Sequence, residues 1–381
     1  MDFELSQDHV MLRDTVRSFC EEKVRPHARK WDQTCEFPWE VVKELGEMGC
    51  LGVTVPEELG GAGMDPLALA IVVEEISRYD GSLGLTVASH NGLGTNHIRF
   101  FGTDEQKKRW VPDLASGKKL AAWGLTEAGS GSDAAGLRTT AVRKGDGWVI
   151  NGTKMWITQG SVGDTFVILA ITDKAKKQKG ITAFVVEKDT PGFSTNPIHG
   201  KLGMRSSDTA ELVLEDVEVP DSHRIGEVNH GFIDTLKILD RGRITIGALS
   251  VGLGLGALEA ATQYAQEREA FGKPIAAFQA IQWKLADMAT EMEAARLLVY
   301  QAACLAGEGK PFSIQASMGK LYASEVATKA CSEAIQIHGG YGYTDEFPVE
   351  RALRDAKLCE IGEGTSEVQR MVIARHLLAD R

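Results

Sequence analysis

Near the end of this 381-residue chain, Glu363 stands between Gly362 and Gly364 in the run Glu360-Ile361-Gly362-Glu363-Gly364-Thr365-Ser366-Glu367. A carboxylate on a short loop with glycines on both sides suits a general base that a substrate must approach closely. The same run also suits plain helix capping, with Thr365 or Ser366 as N-cap and acids beside the positive end of a helix. On these residues alone both readings stay open.

Two glycine-rich segments carry further chemistry. Gly124-Leu125-Thr126-Glu127-Ala128-Gly129-Ser130-Gly131-Ser132-Asp133-Ala134-Ala135-Gly136 exposes backbone N–H groups and hydroxyls without bulky side chains, which suits a planar polar ligand or a phosphate. It also reads as a flexible linker. It lacks the GxxxxGK[ST] pattern of a P-loop and the strand–turn–helix setting of a dinucleotide fingerprint. The segment Gln336-Ile337-His338-Gly339-Gly340-Tyr341-Gly342-Tyr343 closes a helical pattern with three glycines in four residues, more than a C-cap requires. His338 has no second histidine or carboxylate at HxxxH or HExxH spacing, so the sequence offers no metal site.

The elements around these segments fall into three parts: helices, then strands, then helices. Ser6 caps a helix with Leu12, Val16 and Phe19 on one stripe, which Pro26 stops. Pro38 opens a second helix and Pro66 a third that runs to about Tyr79, while Thr103 and Gln106 form a capping box for 104–114. From Thr139 to Val219 the apolar runs are short, β-branched and bounded by turns, with a hairpin signal at Asp146-Gly147. Such runs, without intervening helices, predict an antiparallel barrel or sandwich. After Gly226 long helices return, at about 231–268, 274–306, 312–337 and 347–358, with a last one after Thr365; they predict a helical bundle. The expected fold class is therefore α+β multi-domain, with domains at 1–120, 121–225 and 226–381.

Composition narrows the function classes. The net charge is −11, from 53 acidic against 42 basic residues, a poor match to nucleic acid or an anionic membrane. The basic run Lys174 to Lys179 reads as a solvated hairpin tip. The most apolar stretch, Ile244 to Leu258, is 15 residues long, short of the roughly 20 that a span needs, and rich in small residues that suit tight packing. Cys20, Cys35, Cys50, Cys304, Cys331 and Cys359 form no CxxC pair and read as reduced thiols. The N-terminus has no apolar signal region, and a cytoplasmic location is expected.

Taken together, the motifs resemble the acyl-CoA dehydrogenase family over essentially the whole chain. GLTEAGSGSD is similar to the family's first signature. Gln336, Gly339, Gly340, Gly342, Glu346, Arg351 and Asp355 match the spacing of its second, and Arg268-Glu269-Ala270-Phe271-Gly272-Lys273-Pro274-Ile275 is similar to RxxFGxPI. The resemblance implies FAD. Trp123, Leu125, Thr126, Gly131 and Ser132, with Trp156, Ile157 and Thr158, would line the flavin ring. Arg268, Phe271 and Gln279, with Gln336, Ile337, Gly339 and Gly340, would bind the pyrophosphate end of a neighbouring subunit's flavin, and Thr365 and Glu367 would complete the contacts. Asp240, Arg243, Ser132 and Gly364 would meet the acyl-CoA; Asp240 and Arg243 also read as a surface i, i+3 helix pair.

The reaction that the resemblance implies is α,β-dehydrogenation of an acyl-CoA to a trans-2-enoyl-CoA. Glu363 would take the α-proton as the β-hydride passes to flavin N5. Electrons would go on to an electron-transfer flavoprotein, in a homotetramer built as a dimer of dimers, serving fatty acid or amino acid catabolism. Some relatives carry the base on the long helix, where this chain has Gly242, so Glu363 takes the role. Gly362 stands where tyrosine is common, which points to a wider or differently shaped acyl pocket. The alternatives are an acyl-CoA oxidase, a decarboxylating dicarboxylyl-CoA dehydrogenase, and a non-catalytic CoA- or flavin-binding subunit. Decarboxylation needs a cation in the acyl pocket, and the candidates Arg78 and Arg99 read as exposed helix residues.

Overall fold

The computed structural model describes residues 4–378. The first part is helical: α1 (Gln7–Phe19), α2 (Ala28–Thr34), α3 (Trp39–Glu47), α4 (Pro66–Ser77), α5 (Gly81–Ser89), α6 (Asn96–Phe101) and α7 (Asp104–Ala115). The expected caps are present. Ser6 accepts the N–H of His9, and Thr103 and Gln106 close a capping box over α7. Asp65 accepts the N–H of Ala68 with Pro66 at the first helical position, a pairing that starts α4 sharply. The sequence reading missed α2, α5 and α6. All nine residues of α5 are buried, so no polar face marks its period.

The middle part is one eight-stranded, mostly antiparallel sheet: β1 (Ala121–Gly124), β2 (Thr140–Lys144), β3 (Gly147–Thr158), β4 (Thr165–Ile171), β5 (Ile181–Glu187), β6 (Phe193–Pro197), β7 (Thr209–Pro220) and β8 (Arg224–Ile225). The strands run in the order β6-β7-β3-β2-β4-β5-β8. Two details depart from expectation. β1 pairs with β4 in parallel, in the register Ala121 with Thr165 and Gly124 with Ile168. The β2–β3 turn centres on Gly145-Asp146, one residue earlier than read, because Lys144 pairs with Gly147 and Gly145 supplies the positive φ of +55°.

The C-terminal part holds α8 (Gly231–Glu267), α9 (Gln279–Gly307), α10 (Ser313–His338), α11 (Val349–Cys359) and α12 (Ser366–Leu378). α9 begins at Gln279 rather than near Pro274. A hairpin pairs Glu269–Ala270 with Lys273–Pro274, and a short turn at 275–277 follows. α8 is long and apolar enough to cross a membrane, yet 72% of that stretch lies inside the protein. It packs on α4, α9 and α10, and a side chain at Gly252 would overlap the Glu74 carbonyl of α4. All six cysteines are free thiols.

Candidate active site

Glu363 sits on the turn between α11 and α12 at φ +52°, a backbone region that few residues other than glycine adopt. The chain holds it there by its neighbours. The Gly364 carbonyl accepts from Lys320 Nζ of α10 at 2.7 Å and from Gln369 Nε2 of α12 at 2.9 Å. The Thr365 hydroxyl caps α12 by accepting the N–H of Val368 at 3.3 Å. The capping and base readings of this run are thus compatible: Thr365 caps, which leaves Glu363 to project.

Its carboxylate points at α8. Glu363 Oε2 is shut off from solvent and has no hydrogen-bond partner. A β-carbon on Gly242 would overlap that oxygen and stand 3.1 Å from Leu93 Cδ2. Leu93 in turn belongs to the apolar cluster of Trp123 and Leu125, which ties the carboxylate to the end of β1. Burial pushes the Glu363 carboxyl up to about 7, while the nearby charges of Lys320 and Arg243 oppose that rise. Lys320 is itself buried and lowered to about 8 by desolvation. Among the described residues no acceptor pairs with the Glu363 N–H, which leaves a backbone donor beside the carboxylate.

The glycine-rich segment after β1 is anchored from below. Lys154, fully buried on the inward face of β3, donates to the Leu125 carbonyl at 3.1 Å and to Glu127 Oε1 at 2.8 Å. Glu127 also accepts the N–H groups of Arg138 and Thr139. Burial lowers Lys154 to about 8, and the pairing with Lys154 and Thr139 holds Glu127 below the usual carboxylate range despite its own desolvation. Met155 donates to the Thr126 carbonyl at 2.9 Å, and this brings Thr126 beside Trp156 and Thr158. Trp123 donates to His97 Nδ1 at 3.1 Å. Burial lowers His97 to about 3, so the ring stays neutral and accepts that bond.

The upper surface of this segment fits a planar aromatic group. Trp156 is 60% exposed and held at φ +63°, costly for an aromatic residue with nothing to cover. Gly131, beside the exposed Ser132, faces open space, since a β-carbon there would meet nothing within 4 Å. Leu125 and Ile157 point into the core, so they can offer only main chain to a ligand.

The C-terminal part gathers a second cluster. In the hairpin after α8, Phe271 and Gly272 adopt φ of +53° and +77°, and Phe271 is 94% exposed. The Arg268 guanidinium lies 5.7 Å from the ring of Tyr341, in the short turn Gly339–Tyr343 that follows α10. Side chains at Gly339 and Gly340 would enter open space. Ile337 is buried, whereas Gln279 and Glu367 are exposed on the surface.

Asp240 and Arg243 pair at i, i+3 as read, but not on the surface. Arg243 is buried, also donates to Ser317 at 3.3 Å, and its charge acts on Glu363. Asp240 accepts from Ser313 at 2.9 Å. The two arginines set aside as exposed are not exposed either. Arg78 is buried among Glu74, Glu75 and Glu259. Arg99 lines a cavity. Lys154, His97, Lys320 and Gln369 escaped the sequence reading. A lysine at an inward β3 position is the one signal among them that the strand alternation carries.

Family models for the acyl-CoA dehydrogenase N-terminal, middle and C-terminal domains match residues 6–118, 122–217 and 229–378. A probable acyl-CoA dehydrogenase of Bacillus subtilis, YngJ, is 50% identical over 99% of this chain and 100% of its own. Among solved structures, butyryl-CoA dehydrogenase from Megasphaera elsdenii is similar at a TM-score of 0.98 and 42% identity, over 99% of this chain and 100% of that one. A chain solved in work on the electron transferring flavoprotein of Acidaminococcus fermentans is similar at a TM-score of 0.99 and 44% identity, over 100% of both.

Proposed function

The chain belongs to the acyl-CoA dehydrogenase family, a family of FAD-dependent oxidoreductases, and on that premise we propose that it desaturates a short acyl-CoA at Cα–Cβ with Glu363 as base. The observation that carries this is the Glu363 carboxylate, whose Oε2 is buried, unpaired and raised to about 7. Such an oxygen is free to accept a C–H proton and is basic enough to do so near neutral pH. The α-proton of a thioester is too weakly acidic to leave without help, so the carbonyl must be polarised as charge develops on it. The Glu363 N–H is the donor this chain supplies for that purpose. Lys320 and Gln369 fix the adjoining carbonyl, so base and donor stay in register as the proton moves.

Bound FAD supplies the acceptor for the β-hydride. Trp123, Thr126, Gly131, Ser132, Trp156 and Thr158 would hold the flavin ring, with Lys154 and Glu127 fixing the strand end beneath it. Arg268, Phe271, Gln279, Gln336, Gly339 and Gly340 would meet the pyrophosphate of a neighbour's cofactor. The near-complete exposure of Phe271 supports a site finished between subunits, and hence at least a dimer. Arg268 suits that task because a guanidinium offers paired donors to phosphate. Asp240 and Arg243 serve the substrate from within α8: Arg243 orients the loop of Glu363 through its charge, and Asp240 orients Arg243. Likeness to butyryl-CoA dehydrogenase supports a short acyl chain, and likeness to the Acidaminococcus chain supports an electron-transfer flavoprotein as acceptor.

The test is anaerobic mixing of the yellow holoprotein with butyryl-CoA while the flavin absorbance is followed. Bleaching in the native protein and its loss in Glu363→Gln is the expected pair of results. A holoprotein that no saturated acyl-CoA bleaches would overturn the proposal.

A further inference from the structure

A cavity of about 300 Å³ opens between the start of α4, α6, α8 and the end of α9. Arg99 and Arg241 line it, both partly buried. Their guanidiniums lie 4.7 Å and 4.3 Å from the centroid of the Phe100 ring. Arg99 donates only to neutral acceptors, Thr54 Oγ1 at 3.1 Å and Asn96 Oδ1 at 3.3 Å. Among the described residues neither arginine has an ion-pair partner. Asp240, the carboxylate whose field reaches Arg241, is already bonded to Arg243 and Ser313. Asp65 on the rim accepts from Ala68 and His9. Arg78, by contrast, is enclosed by three glutamates.

Two neighbouring cations withdrawn from water without counter-charges repel each other, and an anion in contact with both would relieve both costs. Guanidiniums also offer forked donors that match the oxygens of carboxylate or phosphate. We propose that this cavity binds an oxyanion group, with Arg99 and Arg241 as its donors. Its position suggests what carries the group. A β-carbon on Gly92 in the cavity wall would stand 3.2 Å from Thr245 Oγ1 and 3.9 Å from Gly242 Cα, and Gly242 backs Glu363. The cavity wall therefore touches the turn of α8 that carries Gly242, the residue against which Glu363 lies. The oxyanion is either the far carboxylate of a dicarboxylyl-CoA or a free small anion.

The experiment uses the holoprotein and the variants Arg99→Gln and Arg241→Gln, each checked by thermal melting so that either one can carry the result. In one arm, kcat/KM is measured for glutaryl-CoA and butyryl-CoA. In the other, glutarate and inorganic phosphate are titrated by calorimetry. A fall of about tenfold or more in the glutaryl-to-butyryl ratio in the variants identifies the acyl tail as the source. Binding of glutarate or phosphate that weakens by about tenfold in the variants, with the ratio unmoved, identifies a free anion. Unchanged ratios together with unchanged or absent anion binding overturn the proposal. The acyl-tail arm rests on the dehydrogenase reading. Failure of that reading shows separately, as native protein that does not oxidise butyryl-CoA, and the calorimetric arm still decides the site.

Discussion

Gly242 and Glu363 compete for one volume: a β-carbon on Gly242 would overlap Oε2 of Glu363 and stand 3.0 Å from its Cδ. The long helix can approach the Glu363 loop this closely only because residue 242 has no side chain. Gly242→Ala should push the carboxylate by about 1 Å, and a displacement of that size costs roughly 10²-fold in rate. The helix itself tolerates alanine well, so FAD content should be retained. Stopped-flow bleaching by butyryl-CoA, alongside the flavin-to-protein ratio, checks this. A rate within twofold of native, at full flavin content, would mean that the carboxylate is not held against Gly242.

Glu363 should also set the pH dependence. With its carboxyl raised to about 7, kcat/KM should climb about tenfold per pH unit below that value and level off above it, since only the ionised form takes a proton. Stability should move the other way. The folded-state value lies above the ordinary 4.5, so the contribution of the neutral carboxyl is complete below 4.5 and is lost as pH rises through about 7. Glu363→Gln should therefore lose less melting temperature than the native protein between about pH 5 and pH 8, while its rate drops about 10²- to 10⁴-fold. Parallel melting curves across that range would remove the buried-carboxylate account.

How much of this was legible in the sequence depends on where each residue sits. The long C-terminal helices announced themselves by apolar period, whereas the glycines around Glu363 left the base and capping readings open and the family resemblance chose between them. α5 did not, because a helix buried on every side has no stripe to reveal it. Arg99 read as a surface residue because its cavity is made by α4, α6, α8 and α9, and no local pattern records what distant segments enclose. The parallel pairing of β1 with β4 was hidden for the same reason: four residues carry no sign of their partner's direction. Arg243 shows the limit of an i, i+3 rule, which finds the pair with Asp240 but not the α10 wall that buries it.

The Lys154–Glu127 pair offers a test of the proposed flavin cradle from below. Removing one member of a buried ion pair leaves the other charge uncompensated, at a cost of about 3–5 kcal/mol. Lys154→Met should lower the melting temperature and weaken FAD binding, since the Leu125 carbonyl loses the donor that fixes it. Adding Glu127→Gln should restore part of the stability by removing the stranded carboxylate, but not the FAD affinity. Recovery of both in the double variant would show that the pair has no part in shaping the cradle.

Gly362 precedes Glu363, and a side chain there should narrow the acyl pocket. Unlike Gly364, at φ +98°, it carries no positive φ, and a β-carbon there would meet the Leu358 carbonyl at 3.5 Å, an ordinary contact. A side chain at 362 is therefore tolerated by the backbone, and its glycine is not a folding requirement. Gly362→Tyr should fold normally, fill space next to Glu363 and penalise bulkier acyl groups most. A misfit of one methylene costs roughly 10- to 200-fold in such discrimination, so the ratio of isobutyryl-CoA to butyryl-CoA turnover should fall at least to the lower end of that range. Profiles of kcat/KM against chain length and branching, taken on both proteins at equal flavin content, decide it. Superimposable profiles would show that the tyrosine points away from the acyl chain and that the missing aromatic has no bearing on substrate choice.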